Sequence, residues 1–90
     1  MLEAHFFGRF DVRIDGSPIE ISSRKAQSLL AYMMLNLEVQ HRREKLAGIL
    51  WSETDEATAR SKLRYTLWQL RKAIGGQYIL ADKISLTINV

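Results

Sequence analysis

An α+β fold, with antiparallel strands at both ends and helices between them, is predicted by two observations. Residues 3–21 and 78–90 alternate apolar and polar positions as half-buried strands do, while the stretch between them carries three runs of apolar residues at helical spacing. At 90 residues, with 47% hydrophobic and 26% charged content, the chain suits one folded domain with a modest core.

Residues 3–21, EAHFFGRFDVRIDGSPIEI, predict two or three short strands, with Phe10, Val12, Ile14, Ile19 and Ile21 alternating around Asp15-Gly16. Both residues of that dipeptide tolerate the positive φ of a tight hairpin. Ser22-Ser23 offers N-cap oxygens to a first helix bearing Ala26, Leu29, Leu30, Met33, Met34 and Leu37, with Tyr32 and Leu35 widening the stripe. That breadth predicts the most buried helix. A second, short helix is expected over about Arg43 to Trp51, with Leu46, Ile49 and Leu50 inward and Trp51 in the core. Its first turn, HRRE, is basic where a capping Ser or Asp is usual.

SETDEA then reads as a loop entering a third helix, with Thr54 as cap and Asp55 and Glu56 beside the positive end of the helix dipole. Glu53, Asp55 and Glu56 admit a metal-site reading, but capping accounts for them. The third helix runs to Ile74 and stops at Gly75-Gly76, in the αL-tolerant position after a helix. YILADKISLTINV closes the chain as a hairpin, with Ile84, Leu86, Ile88 and Val90 inward and Asp82-Lys83 near the turn. No internal repeat, linker or low-complexity segment interrupts this order.

Several function classes fall away. The chain has no cysteine, and its two histidines, His5 and His41, lie far apart and read as a strand and a loop residue without chemistry. There is no Ser, His and Asp set, no Gly-rich phosphate loop and no carboxylate cluster in a pocket-forming context, so neither an enzyme nor a cofactor or metal is expected. The start, MLEAHFFGRF, lacks the pattern of a signal peptide, and no apolar run approaches membrane-spanning length. A soluble cytoplasmic protein with no membrane partner is the expectation.

Charge is where the chain departs from the ordinary. The net charge is +3, yet residues 57–74 hold five Lys or Arg and no acid, so the remainder sums to 2 negative. On a helical wheel, Ala59, Leu63, Leu67, Leu70 and Ile74 form a core seam roughly 80° wide. Opposite it lie Ser61, Tyr65, Trp68 and Lys72, flanked by Lys62 and Gln69 on one side and by Arg60, Arg64 and Arg71 on the other. A solvated basic face is the commonplace explanation of the charge alone, and cover by the terminal hairpin or by a partner protein could account for the rings. Nucleic acid accounts for both together. Arg and Lys pair with phosphates and guanine edges, Gln can bond adenine in two places, and aromatic rings pack on sugars or thymine methyls. Arg24 and Lys25 open the first helix, where a phosphate could also be held.

The ordered set FFGRFDVRIDGSPIEI, SRKAQSLLAYMMLN, REKLAGILW and ARSKLRYTLWQLRKAI, followed by a hairpin, resembles the OmpR/PhoB-type winged helix-turn-helix. It is most similar to the N-terminal DNA-binding domain of SARP-type bacterial transcriptional activators. The resemblance spans essentially the whole chain, though no single motif in it is specific. It implies double-stranded DNA as partner, a supporting second helix, a third helix in the major groove, and the hairpin as a wing on the adjacent minor groove. Groove-facing positions carried over from the family fall on Ser61, Lys62, Tyr65, Thr66 and Gln69, with Arg64, Trp68 and Lys72 beside the backbone. Lys62, Tyr65, Thr66 and Gln69 are then the candidates for base discrimination; Arg24, Lys25, Arg60, Arg64, Arg71, Lys72 and Lys83 are those for phosphate affinity. The chain departs from the family's pattern in LNLEVQHRRE, which lacks the usual Ser or Thr before the second helix, and in the bulk of Tyr65 and Trp68. The resemblance further implies tandem binding to direct repeats, contact with RNA polymerase through SETDEATA, and an origin as one domain of a larger regulator. The alternative is a protein-interaction or dimerisation module of the same fold that uses exposed Tyr65 and Trp68.

Overall fold

The computed structural model describes residues 1–6 and 10–89. Among the described residues the chain is a small α+β domain of three α-helices and two small antiparallel sheets. Val90, expected on the inward face of the last hairpin, lies outside the described residues.

The first sheet pairs β1 (Leu2–Phe6), β2 (Phe10–Ile14) and β3 (Ser17–Ile19) in that order. Asp15 and Gly16 take φ of 51° and 82°, the positive pair that a two-residue hairpin requires, and Ile14 faces Ser17 across the turn. The Ser23 hydroxyl accepts from the Ala26 N–H at 3.2 Å and opens α1 (Arg24–Met34).

Helix α1 stops one turn before the expected Leu37. Asn36 is the cause: its side chain donates to the Tyr32 carbonyl at 2.8 Å and its backbone N–H to the Met33 carbonyl at 3.1 Å, so the last carbonyls find partners outside a continued helix. Glu38 then turns the chain at a φ of 64°. Leu35 and Leu37, expected in the apolar stripe, are consequently exposed.

The chain returns through β4 (His41–Arg42), α2 (Arg43–Leu50), α3 (Glu56–Ile74), a short 3₁₀ turn (Gly76–Tyr78), β5 (Ile79–Ala81) and β6 (Ser85–Ile88). Strand β4 pairs with β6, His41 opposite Leu86, giving a second sheet in the order β4-β6-β5. His41, expected in a loop, is buried there, its Nε2 3.2 Å from the Asn36 carbonyl oxygen and its ring edge-on to Tyr32. Two more apolar positions depart from expectation. Ile49 is exposed because Leu46 and Ala47 turn α2 inward and leave it roughly 100° off their shared face. Ile84 is exposed because it still belongs to the turn, where its N–H and that of Ser85 bond the Asp82 carboxylate; the strand starts only at Ser85.

The core joins all layers: Leu2 and Val12 of the first sheet, Leu29, Leu30 and Met33 of α1, Leu46 of α2, Leu63 and Leu70 of α3, and Ile79 and Leu86 of the second sheet. Trp51 packs against it, half-buried. The cap of α3 is Asp55 rather than Thr54, its carboxylate accepting from the Thr58 N–H at 3.1 Å. At the other end Gly75 takes a φ of 93° and a ψ of 153°, open to glycine but outside the αL region expected, and its N–H bonds the Arg71 carbonyl at 2.8 Å.

Two carboxylates tie stability to pH. Thr58, through its side chain first and its backbone N–H second, holds Asp55 below the usual 3.8; the N–H groups of Ile84 and then Ser85 do the same for Asp82. A carboxylate depressed in the folded state stabilises it fully above the unfolded pKa and loses that contribution as pH falls through the folded one. Thermal melts are therefore expected to show Tm falling below about pH 4, with a shallower fall in the Asp55→Asn, Asp82→Asn double variant.

Candidate functional site

Helix α3 divides along its length into a buried seam and an exposed face. Ala59, Leu63, Leu67, Leu70 and Ile74 are all buried, and Arg60, Ser61, Lys62, Arg64, Tyr65, Trp68 and Lys72 are all exposed. Tyr65 is 61% and Trp68 55% accessible, so neither ring lies under the β5–β6 hairpin. The three-residue spacing stacks the two rings, with centroids 5.9 Å apart and planes at 21°, and Lys72 places its ammonium 4.9 Å from the Trp68 ring. Tyr65, Trp68 and Lys72 thus form one ladder along the helix. Gln69 sits half-buried at its edge.

Three expected site residues are placed differently. Thr66, expected to face outward for base discrimination, is 4% exposed. On the wheel it lies roughly 60° from the centre of the core seam and 120° from the outward one, so the periodicity of α3 already argued against the position carried over from the family. Arg71, expected to serve phosphate affinity, is half-buried and donates from Nη2 to the Ile79 carbonyl at 2.7 Å, tying α3 to the first strand of the hairpin. Lys25 remains exposed, but its ammonium donates to the Leu50 carbonyl and lies 5.5 Å from the Trp51 ring, joining the start of α1 to the end of α2.

Arg24, Arg60, Lys62, Arg64, Lys72 and Lys83 are exposed, and among the described residues none of them forms an ion pair. Beside the ring ladder, Lys25, Trp51, Thr58, Ser61, Lys62, Tyr65 and Thr66 line a shallow depression of about 370 Å³ with a mainly apolar wall. Trp51 thus both packs on the core and borders the exposed face. Comparison with protein-family models, curated proteins and solved structures gave no significant match. The site therefore has to be read from its own chemistry.

That chemistry is cationic, ring-bearing and acid-free from residue 57 to residue 74. Among the described residues no three His, Cys, Asp or Glu side chains are grouped to hold a metal ion, and Asp55 is engaged as a cap. No helix among the described residues is long and apolar enough to cross a membrane. Sequence reasoning assigned no role to Arg42 and Arg43, which line a second cleft with Arg60, Arg64 and Lys83. The signal for them was present in HRRE, where two arginines occupy the place of a cap.

Proposed function

We propose that this chain is a sequence-specific double-stranded DNA-binding domain of a bacterial transcriptional regulator, built as a winged helix-turn-helix. Helix α3 enters the major groove, α2 supports it, and the β5–β6 hairpin is the wing over the adjacent minor groove. The observation that carries this reading is the exposure of Tyr65 and Trp68 within a cationic face opposite the buried seam. Order and dimensions support it: strands, three helices and a hairpin follow one another, and nineteen residues give α3 a length of about 28 Å, thin enough for a groove about 12 Å wide. Arg24, Arg60, Arg64, Lys72 and Lys83 supply phosphate affinity, with Trp68 beside the backbone. Ser61, Lys62, Tyr65 and Gln69 face base edges. By analogy with the resembled family alone, tandem copies bind direct repeats and the loop before α3 meets RNA polymerase.

Selection of bound duplexes from a random pool tests the reading, since an enriched motif is expected. In the same selection Gln69→Ala is expected to change preference at its contacted position by about 1–3 kcal/mol while total binding stays similar. An unchanged ranking of all duplexes would remove Gln69 from base recognition. The exposed rings also favour a second reading, a protein-interaction module. Light scattering separates the two: self-association through Tyr65 and Trp68 that duplex does not disturb belongs to the second.

A further inference from the structure

Two of the three helices are capped by their own chain: Ser23 caps α1 and Asp55 caps α3, each through a side-chain oxygen. Helix α2 follows Arg42 without a side-chain cap bond and begins with Arg43. Positive charge at that position adds to the positive end of the helix dipole, which Glu44 in the first turn only partly offsets.

The same turn forms one wall of a cleft of about 290 Å³, closed by α3 and by the β5–β6 turn. Arg42, Arg43, Arg60, Arg64 and Lys83 line it together with Glu44, and among the described residues none of these cations is ion-paired. Arg43 is the most telling of them. Its backbone N–H is engaged by the Ile84 carbonyl at 2.8 Å, and its side-chain Nε is buried without a hydrogen-bond partner. An unpaired buried donor on a cation is unfavourable, but Arg71 Nε outside the cleft is in the same state, so it is the convergence of five cations on one cleft that points to an anion. Asp82 lies within reach of the charge of Arg43, but its carboxylate is taken by the N–H groups of Ile84 and Ser85 and by the Ser85 hydroxyl.

We propose that the cleft is a phosphate seat, with Arg43 as the inner ligand and Arg42, Arg60, Arg64 and Lys83 around it. A phosphate group fits because its several acceptor oxygens can take a guanidinium fork and free helix N–H groups at once. Its source is either a backbone phosphodiester of a duplex, which rests on the DNA-binding reading above, or a free phosphorylated small molecule.

Titration of the isotope-labelled protein with pyrophosphate at constant ionic strength tests this, read at the Arg43 Nε–H and at the Glu44 and Lys45 amide signals. Saturable shifts confined to those signals are expected, with affinity about tenfold or more weaker in Arg43→Gln. Should that variant fail to fold, Arg64→Gln and Lys83→Gln, both at exposed positions, carry the same expected direction. Shifts spread evenly over the cationic face, or unchanged affinity in a folded Arg43→Gln, overturn the seat. A duplex that moves the same signals and is displaced by pyrophosphate assigns it to a backbone phosphate. Pyrophosphate shifts without any duplex complex assign it to a free phosphorylated ligand and remove only the DNA reading. A duplex complex with the Arg43 signal silent under both ligands removes only the seat.

Discussion

Leu70→Ala is expected to lower the unfolding free energy by about 2–5 kcal/mol, the loss that follows when a fully enclosed leucine is truncated and its surroundings cannot collapse. Leu70 lies on the seam of α3, in the same core cluster as buried residues of α1, α2 and the second sheet. Two residues earlier, Trp68→Ala is expected to cost about 1 kcal/mol or less, because it removes one ring stack and one cation–π contact at the surface but opens no cavity. Denaturant unfolding of the two variants measures the contrast. A Trp68→Ala loss as large as that of Leu70→Ala would mean that the outer ring holds the fold together, leaving it unavailable to a partner.

Raising the salt concentration from about 50 to about 200 mM is expected to weaken duplex binding by roughly five hundredfold, the effect of about five phosphate contacts releasing their counterions. Arg24, Arg60, Arg64, Lys72 and Lys83 are the cations placed to make them. Arg64→Gln is then expected to reduce the slope of log affinity against log salt by about one and to weaken all duplexes alike. Arg71→Gln supplies the contrast: its guanidinium bonds the Ile79 carbonyl, so the slope should stay as it is while stability falls. Anisotropy titrations at several salt concentrations measure both. Equal slopes for wild type and Arg64→Gln would take Arg64 off the backbone.

The parts of the fold that could be read from the sequence are those specified by long periods or by one residue's conformation. The seam of α3 repeats over about four turns, the Asp15-Gly16 hairpin needs the positive φ those residues allow, and Ser23 is a cap by its chemistry. The hidden parts depend on contacts distant in sequence. Two residues cannot display an alternation, so β4 is visible only once His41 lies against Leu86. Asn36 ends α1 with hydrogen bonds that no hydrophobic pattern announces.

The candidate site divides in the same way. The exposed ladder of Tyr65, Trp68 and Lys72 followed from helical spacing, whereas the engagement of Arg71 and Lys25 did not, because a long cationic side chain can reach a carbonyl on another element. Thr66 is the instructive exception. Helical geometry puts it nearer the seam than the outward face, and its burial follows that geometry rather than the position implied by the resemblance.

On the proposed reading, the cationic, ring-bearing face of α3 meets a double helix. The most direct test is a titration of a labelled duplex pool at low ionic strength with wild type and with folded Trp68→Ala. A saturable complex that salt dissolves, and that the variant forms much more weakly, is the expected result. No complex with wild type, or one indifferent to the loss of Trp68, would contradict it.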